Sequence, residues 1–450
     1  MHTLHRFTVA LLAAVLLAPA ALAQGGKVQV HGTTGDDKID DQWEGRQTPE
    51  EDEWVRGKGG NDQLWGYAGD DEIDGDGGDD AIDGGGGADL IRGGDGKDVL
   101  FGGDGDDEII GGNHDDQLYG GGGDDSLKGT AKNDYLDGQE GSDTLEGGVE
   151  DDLLVGRDGD DTLVGGTGDD FIVIIGSDLQ GYTIHGDDAA ENTGNRDDDL
   201  LLFAKDVNPD QVTVKVLDGY THYELNDGLL TEEDIDLDIA AEQQAGRIRH
   251  VEAFETGTGD DTIKGTDLTG HNTYWERFHR AGESWLEVDE LFFTHDGDDT
   301  VETRGGNDFV DAGAGDDTVI CGSGAHVLRL GPGQDKAVFH ADELDGPEGA
   351  TGQKQSRFLD MASGDQIIIN GGVTPADVVL TSKVQGKHRF TQVAVNGEPE
   401  FDLWGLRKTQ VRVDAGPEGG VIITATSGAG DVTAPPTEVE EAEAPKKPRR

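Results

Sequence analysis

Gly102-Gly103-Asp104-Gly105-Asp106-Asp107-Glu108-Ile109-Ile110 is one of thirteen consecutive nine-residue blocks that run without insertion or deletion from Gly57 to Val173. The sixth position is aspartate in every block: Asp62, Asp71, Asp80, Asp89, Asp98, Asp107, Asp116, Asp125, Asp134, Asp143, Asp152, Asp161 and Asp170. The eighth is always Leu or Ile, from Leu64 and Ile73 through to Leu163 and Ile172. A short period this strict decides the architecture, because each block must be one structural unit stacked on the next.

Each block divides into a six-residue turn and a three-residue strand. Glycines at the first, second and fourth positions let the backbone curl tightly and present carbonyl oxygens inward, and the position-six carboxylate joins them. In the strand, position eight points inward and its neighbours outward, so two facing strands bury a ladder of Leu and Ile. Eighteen residues then make one coil. Thirteen blocks give about six and a half coils, a rod of roughly 30 Å at about 4.8 Å per stacked strand.

Carbonyls combined with carboxylates suit a hard cation with six to eight oxygen ligands, which describes calcium better than magnesium, zinc or iron. His and Cys are absent from the ligand phase of this array. Aspartates repeating once per coil repel by roughly 0.9 kcal/mol in water, or 3.5 kcal/mol at an effective dielectric of 20. Eight blocks add a second Asp at position five, as in Asp106 and Asp107. The array is therefore expected to fold only with its cations, so that binding and folding are one equilibrium. Aspartate as a mere turn-capping residue is the competing reading, but capping does not require it in every block.

These blocks resemble the haemolysin-type, or RTX, calcium-binding repeat, GGxGxDxUx with U a large aliphatic residue. The resemblance implies a right-handed parallel β-roll, an all-β fold, with calcium ions (Ca2+) held between coils by the position-six aspartates and nearby carbonyls. His114, Lys132 and Glu150 replace Gly at the fourth position, and the turns there are expected to be distorted or short of an ion. An isolated copy, Gly32 to Asp40, carries Asp37 and Ile39 in phase, and Thr256 to Lys264 carries Asp261 and Ile263. A second array from Thr294 to Val338 places Asp299, Asp308, Asp317, His326 and Asp335 at position six. Its position-eight residues run to Val and Ala, so it is expected to hold fewer or weaker ions. Antiparallel β modules around Pro209 and Pro375 complete the likeness.

The remaining segmentation follows from composition and punctuation. Residues 1–23, with Arg6, the apolar run Val9 to Leu17 and Ala21-Leu22-Ala23, form a secretory signal whose apolar part is too short to span a membrane. Residues 24–56 form an N-terminal cap around the isolated repeat, with the stretch before Val55 as a loop. Residues 57–173 are the main array and 174–255 a β module in which Val212 to Val216, Asp218-Gly219 and Tyr220 to Leu225 spell a hairpin. Residues 256–338 are the second array with an insert at 265–293, residues 339–426 a C-terminal β module, and residues 427–450 a disordered tail.

The 450-residue chain has 74 glycines, 33% hydrophobic residues and a formal net charge of −62. That charge excludes nucleic acid and anionic membrane as partners of the folded body and makes cations the natural ones. A lone cysteine, Cys321, leaves an exported chain with no intramolecular disulfide, so a metal takes that stabilising part.

No His-Glu-x-x-His or Gly-x-Ser-x-Gly motif is present. The insert gathers His271, Tyr274, Trp275, Glu276, His279, Trp285, Glu287, Asp289 and Glu290, which could serve acid/base chemistry, metal binding or sugar stacking but read more simply as an element packed on the roll. The expected function is calcium binding by an exported, non-enzymatic structural protein at the cell surface, in the extracellular matrix or in the periplasm, contacting surface polysaccharide or protein. The rival is a calcium-dependent enzyme or carbohydrate-binding protein using the insert or the β modules.

Overall fold

A computed structural model describes residues 28–39, 51–175, 182–187, 200–204, 212–217, 220–225, 235–238, 248–249, 253–256, 258–265, 290–341, 344, 356–385, 388–416 and 419–426. The expected signal, most of the insert with its His and Trp residues, and the tail lie outside these residues. The described residues hold no α-helix, only strands and two short 3-10 turns, Pro375–Asp377 and Lys408–Gln410. The chain divides into two compact units, Met1–Gly257 with Asn272–Trp285, and Thr258–His271 with Leu286–Arg450.

In the first unit each block supplies one strand, and successive strands go alternately to two parallel sheets. Glu72–Gly77, Leu90–Asp95, Glu108–Asn113, Ser126–Ala131, Thr144–Val149 and Thr162–Thr167 stack in one. Gln63–Trp65, Ala81–Gly86, Val99–Asp104, Gln117–Gly122, Tyr135–Glu140, Leu153–Asp158 and Phe171–Ile175 stack in the other. Leu118 lies opposite Leu100 on one side and Leu136 on the other, so one coil takes eighteen residues. Every position-eight side chain of the array is at most 1% exposed. These aliphatic ladders are the core, and the alternation of the strand sends positions seven and nine outward.

The outward faces differ in chemistry. On one sheet, charged side chains pair along the roll axis, as in Arg92 with Asp74 (3.0 Å) and Lys128 with Glu146. On the other, Phe101 stacks on Tyr119 with ring centroids 4.8 Å apart, and Tyr119 meets Tyr135 at 5.6 Å.

The parallel coil goes past Val173, where the nonapeptide period stops. Ile184 pairs in register with Leu163, Leu201 with Ile172, and Phe254 with Leu201, all fully buried. Parallel pairing fixes the strands and not the length of the links between them, so linkers can vary once each coil still delivers one inward apolar residue. Val212–Leu217 and Tyr220–Leu225 form the antiparallel hairpin, Leu217 opposite Tyr220. At the other end the stretch before Val55, expected as a loop, closes in a roll strand. Glu53–Arg56 pairs with Val28–His31 and with Glu72–Gly77, burying Val55.

The second unit repeats the two-sheet plan. Thr262–Lys264, Thr300–Glu302, Thr318–Cys321, Lys336–His340 and Gln366–Asn370 stack in parallel, as do Leu291–Phe293, Phe309–Asp311, Val327–Arg329 and Ser356–Phe358. Leu291–Phe293 falls in the expected insert but is a roll strand, with Phe292 fully buried. The C-terminal strands prolong both sheets: Val421–Ala425 and Val411–Ala415 add antiparallel to the first, while Glu398–Trp404 adds parallel to the second, followed by antiparallel His388–Val395 and Val378–Gln385. Phe401 packs on Phe339 and Phe358 at centroid distances of 4.7 and 6.1 Å, an aromatic plug beneath the last coil.

Candidate metal centre

The turns that carry the aspartates have one backbone shape. In all thirteen blocks of the main array the second and fourth residues have positive φ, as at Gly103 (113°) and Gly105 (132°). Where glycine is replaced the sign persists: Lys58, Tyr67, Asp76, Thr130, Gln139 and Arg157 at position two, and His114, Lys132 and Glu150 at position four, adopt 73 to 96°. The distortion expected at His114, Lys132 and Glu150 is therefore absent from the fold of the turn. The strain of holding an L-residue in this region is carried instead by neighbouring coils that are regular.

Position-one glycine has a different reason. A Cβ on Gly75 would stand 2.3 Å from Asp80 Oδ2 and 2.7 Å from the carbonyl oxygen of Gly93 one coil on. The same pair of oxygens crowds Gly84, Gly93, Gly102 and Gly120. Glycine here clears space for the carboxylate of its own block.

The position-six carboxylates form two columns. In each, Oδ1 accepts the backbone N–H of the acid one coil earlier. One column runs Asp37, Asp62, Asp80, Asp98, Asp116, Asp134, Asp152, Asp170, with N···O distances of 2.7 to 2.9 Å. The other runs Glu53, Asp71, Asp89, Asp107, Asp125, Asp143, Asp161, at 2.6 to 2.9 Å. Position-five side chains bond in the opposite sense, Asp124 N–H donating to Asp106 Oδ1 at 3.0 Å and Ser142 N–H to Asp124 Oδ1 at 2.9 Å. The turns are thus laced together by carboxylates in both directions along the axis.

One oxygen of each carboxylate is used in this way and the other is not. The Oδ2 atoms of Asp62, Asp80, Asp98, Asp107, Asp116, Asp125, Asp134, Asp143, Asp152 and Asp161 are buried and accept no hydrogen bond from any described residue. Asp317 and Asp335 repeat the pattern in the second unit. A buried anionic oxygen without a partner is costly, and its regular recurrence, once per coil in each column, fits a positive charge beside it.

Titration behaviour agrees. Burial first, and then the neighbouring carboxylates of the column, push Asp80, Asp107 and Asp125 up to about 7 and Asp116 to about 8. Burial likewise raises Asp134 to about 8 and Asp98, Asp143 and Asp161 to about 6. Burial and the charge of Asp170 push Asp152 strongly upward. Without a cation, burial draws these carboxyls toward the protonated form.

The donor set is all oxygen. No group of three His, Cys, Asp or Glu side chains able to hold a metal is found among the described residues, so each site would combine column carboxylates with backbone carbonyls. Hard oxygen donors, buried charge and orphaned Oδ2 atoms fit calcium.

The second unit departs in three respects. Its position-one residues Thr294, Thr303, Ala312, Cys321 and Leu330 all carry side chains, each fully buried, where the main array has glycine or its clearance. Its parallel roll strands span three to five residues, whereas those of the main array usually span six. On one side Asp261, Asp299, Asp317 and Asp335 form a column at 2.7, 2.9 and 3.1 Å. On the other, Asp308 meets His326, whose Nδ1 lies 3.1 Å from Asp308 Oδ2, and the His326 N–H donates to Ser356 Oγ at 3.1 Å. Asp308, expected as a ligand in an acid ladder, faces an imidazole instead.

Sequence reasoning missed Glu53 and Asp365 and assigned Glu290 to the insert's acid/base cluster; all three hold position six in degenerate coils. Glu53 and Glu290 sit nine residues before Asp62 and eighteen before Asp308, so the period itself could have found them. Asp365 is set off by a longer link and had no such signal. Tyr182 takes the place after Asp161, its hydroxyl donating to the Arg157 carbonyl.

Fold and columns together define a parallel β-roll whose turns are built to take hard cations. The RTX calcium-binding nonapeptide repeat, as a family model of four copies, matches residues 56–91, 83–118, 92–127, 119–154, 137–172 and 292–325. Across 56–172 and 292–325 the chain is therefore made of RTX calcium-binding repeats. No curated protein matches the chain.

Proposed function

We propose that the protein is an exported calcium-binding protein whose two columns of position-six aspartates ligate the ions, so that the roll assembles where calcium is abundant, and that it serves a structural or interaction role at a surface or in a matrix. The observation that carries this reading is the recurrence, coil after coil, of a buried aspartate Oδ2 with no hydrogen-bond partner. The second oxygen of each carboxylate, buried without a partner, is destabilising unless a cation joins it. Extracellular calcium modules bind at about 10⁻⁴ to 10⁻³ M, which would leave the chain loose before export and ordered after it. A non-catalytic role is favoured by the use of the acids as backbone-bonded columns rather than as a convergent acid/base pair.

Calcium counting by equilibrium dialysis on the full chain tests the ligand assignment. Wild-type protein should hold multiple ions, and Asp107→Asn with Asp125→Asn should lower the count. An unchanged count in the double variant would sink the assignment of these carboxylates.

A further inference from the structure

The outward face of one sheet in the first unit carries a row of position-nine side chains, Trp65, Asp83, Phe101 and Tyr119, each opposite the next in register. The Lys38 ammonium lies over the Trp65 ring, 5.0 Å from its centroid, and Lys38 belongs to the coil before. The opposite face of the indole therefore fronts on the coil of Asp83. Phe101 lies almost parallel to Tyr119, the rings inclined by 11°, and Tyr119 belongs to the coil after. The opposite face of Phe101, a residue 42% exposed, fronts on the coil of Asp83 as well. Asp83 thus stands between two aromatic walls that are two coils, or about 9.6 Å, apart. Its outward neighbours along its own strand are Ala81 and Gly85, so no long side chain closes the slot.

Asp83 is half-buried, and among the described residues its carboxylate has no hydrogen-bond or salt-bridge partner. Burial raises its pKa, and no neighbouring cation acts the other way. A carboxylate drawn out of water without a partner is destabilising, and a cation beside it removes that cost. We propose that the slot binds one arginine side chain of a basic protein partner, its guanidinium stacked between Trp65 and Phe101 and bonded to Asp83. A cation midway between the walls stands about 4.8 Å from each ring, inside the roughly 6 Å over which a ring attracts a cation. The planar guanidinium matches facing rings and can give one carboxylate two parallel N–H groups, which a lysine ammonium does not. The rings offer a metal ion no oxygen, so this chemistry is separate from that of the columns. The formal charge of −62 draws a basic partner toward the roll. The site goes beyond calcium binding and needs the folded roll, whichever cation completes it.

Isothermal titration calorimetry on the full chain tests the site, in millimolar calcium and at about 0.15 M salt, where long-range attraction to the acidic surface is screened. The probes are an acetylated and amidated Gly-Ser-Arg-Ser-Gly peptide and the same peptide with neutral citrulline in place of arginine. Wild type should bind the arginine peptide about tenfold or more tightly than the citrulline peptide, and Asp83→Asn should lose that margin. Phe101→Ala should weaken arginine binding by about fivefold. Glu108→Gln removes the same charge from the outward face of the other sheet and should stay within about twofold of wild type. Far-ultraviolet circular dichroism shows whether each variant is folded, and if Asp83→Asn is not, Phe101→Ala and the citrulline comparison decide. No binding by folded wild type, or wild-type affinity in Asp83→Asn, overturns the site. Equal affinity for the two peptides also overturns it, making the slot an apolar contact for a neutral partner. A loss in Glu108→Gln equal to that in Asp83→Asn reduces the binding to general charge and overturns it too.

Discussion

At the residue scale, the turn separates two demands that a sequence pattern merges under the letter G. Positions two and four need a backbone of positive φ, and position one needs room beside Asp Oδ2. The two can be told apart by substitution. Gly75→Ala keeps an allowed backbone but meets Asp80 Oδ2 and the Gly93 carbonyl, so it should destabilise the roll by about 1–3 kcal/mol, read as a higher calcium midpoint in a circular dichroism titration. His114→Gly relieves an L-residue held at φ 84° and should act in the opposite direction, by about 1 kcal/mol. A midpoint raised by His114→Gly would show that the imidazole contributes something its exposed, backbone-bonded position does not reveal.

At the scale of the element, the inward ladder and the carboxylate column divide the work of stacking. Leu118 sits between Leu100 and Leu136, fully buried, and Leu118→Ala should cost about 2–5 kcal/mol of the calcium-bound state, measured by chemical denaturation at saturating calcium. Most of this was legible in the sequence: Asp at six and Leu or Ile at eight name the ligand side and the core side of every block. What was not legible lies where the coil survives without the period. Thr183–Asp187, Leu200–Ala204 and Gln366–Asn370 are roll strands because an aliphatic residue lands in register, and nothing in a count of nine announces that. The place of Ser356 above His326 was likewise hidden, since a link of thirty residues separates them where the period leads one to look eighteen on.

At the scale of the whole molecule, the columns make folding sensitive to protons as well as to calcium. Asp80, Asp107, Asp116 and Asp134 are raised to about 7 or 8 in the metal-free fold, against an ordinary carboxylate range near 3.8. A folded-state value above the unfolded one means that protonation favours the fold. That contribution is complete below about pH 3.9 and is lost as pH rises through 6 to 8. In excess chelator the chain should therefore show more β signal at pH 5 than at pH 8.5, and calcium should abolish the difference. Equal spectra at the two pH values would mean that burial does not load the metal-free columns with protons.

If the cation completes the fold, far-ultraviolet circular dichroism across a calcium titration at pH 7.5 shows it most directly. The prediction is a weak β signal in excess chelator that rises cooperatively as free calcium passes through the millimolar range and falls again when chelator is restored. The same β signal in chelator as in millimolar calcium would contradict it.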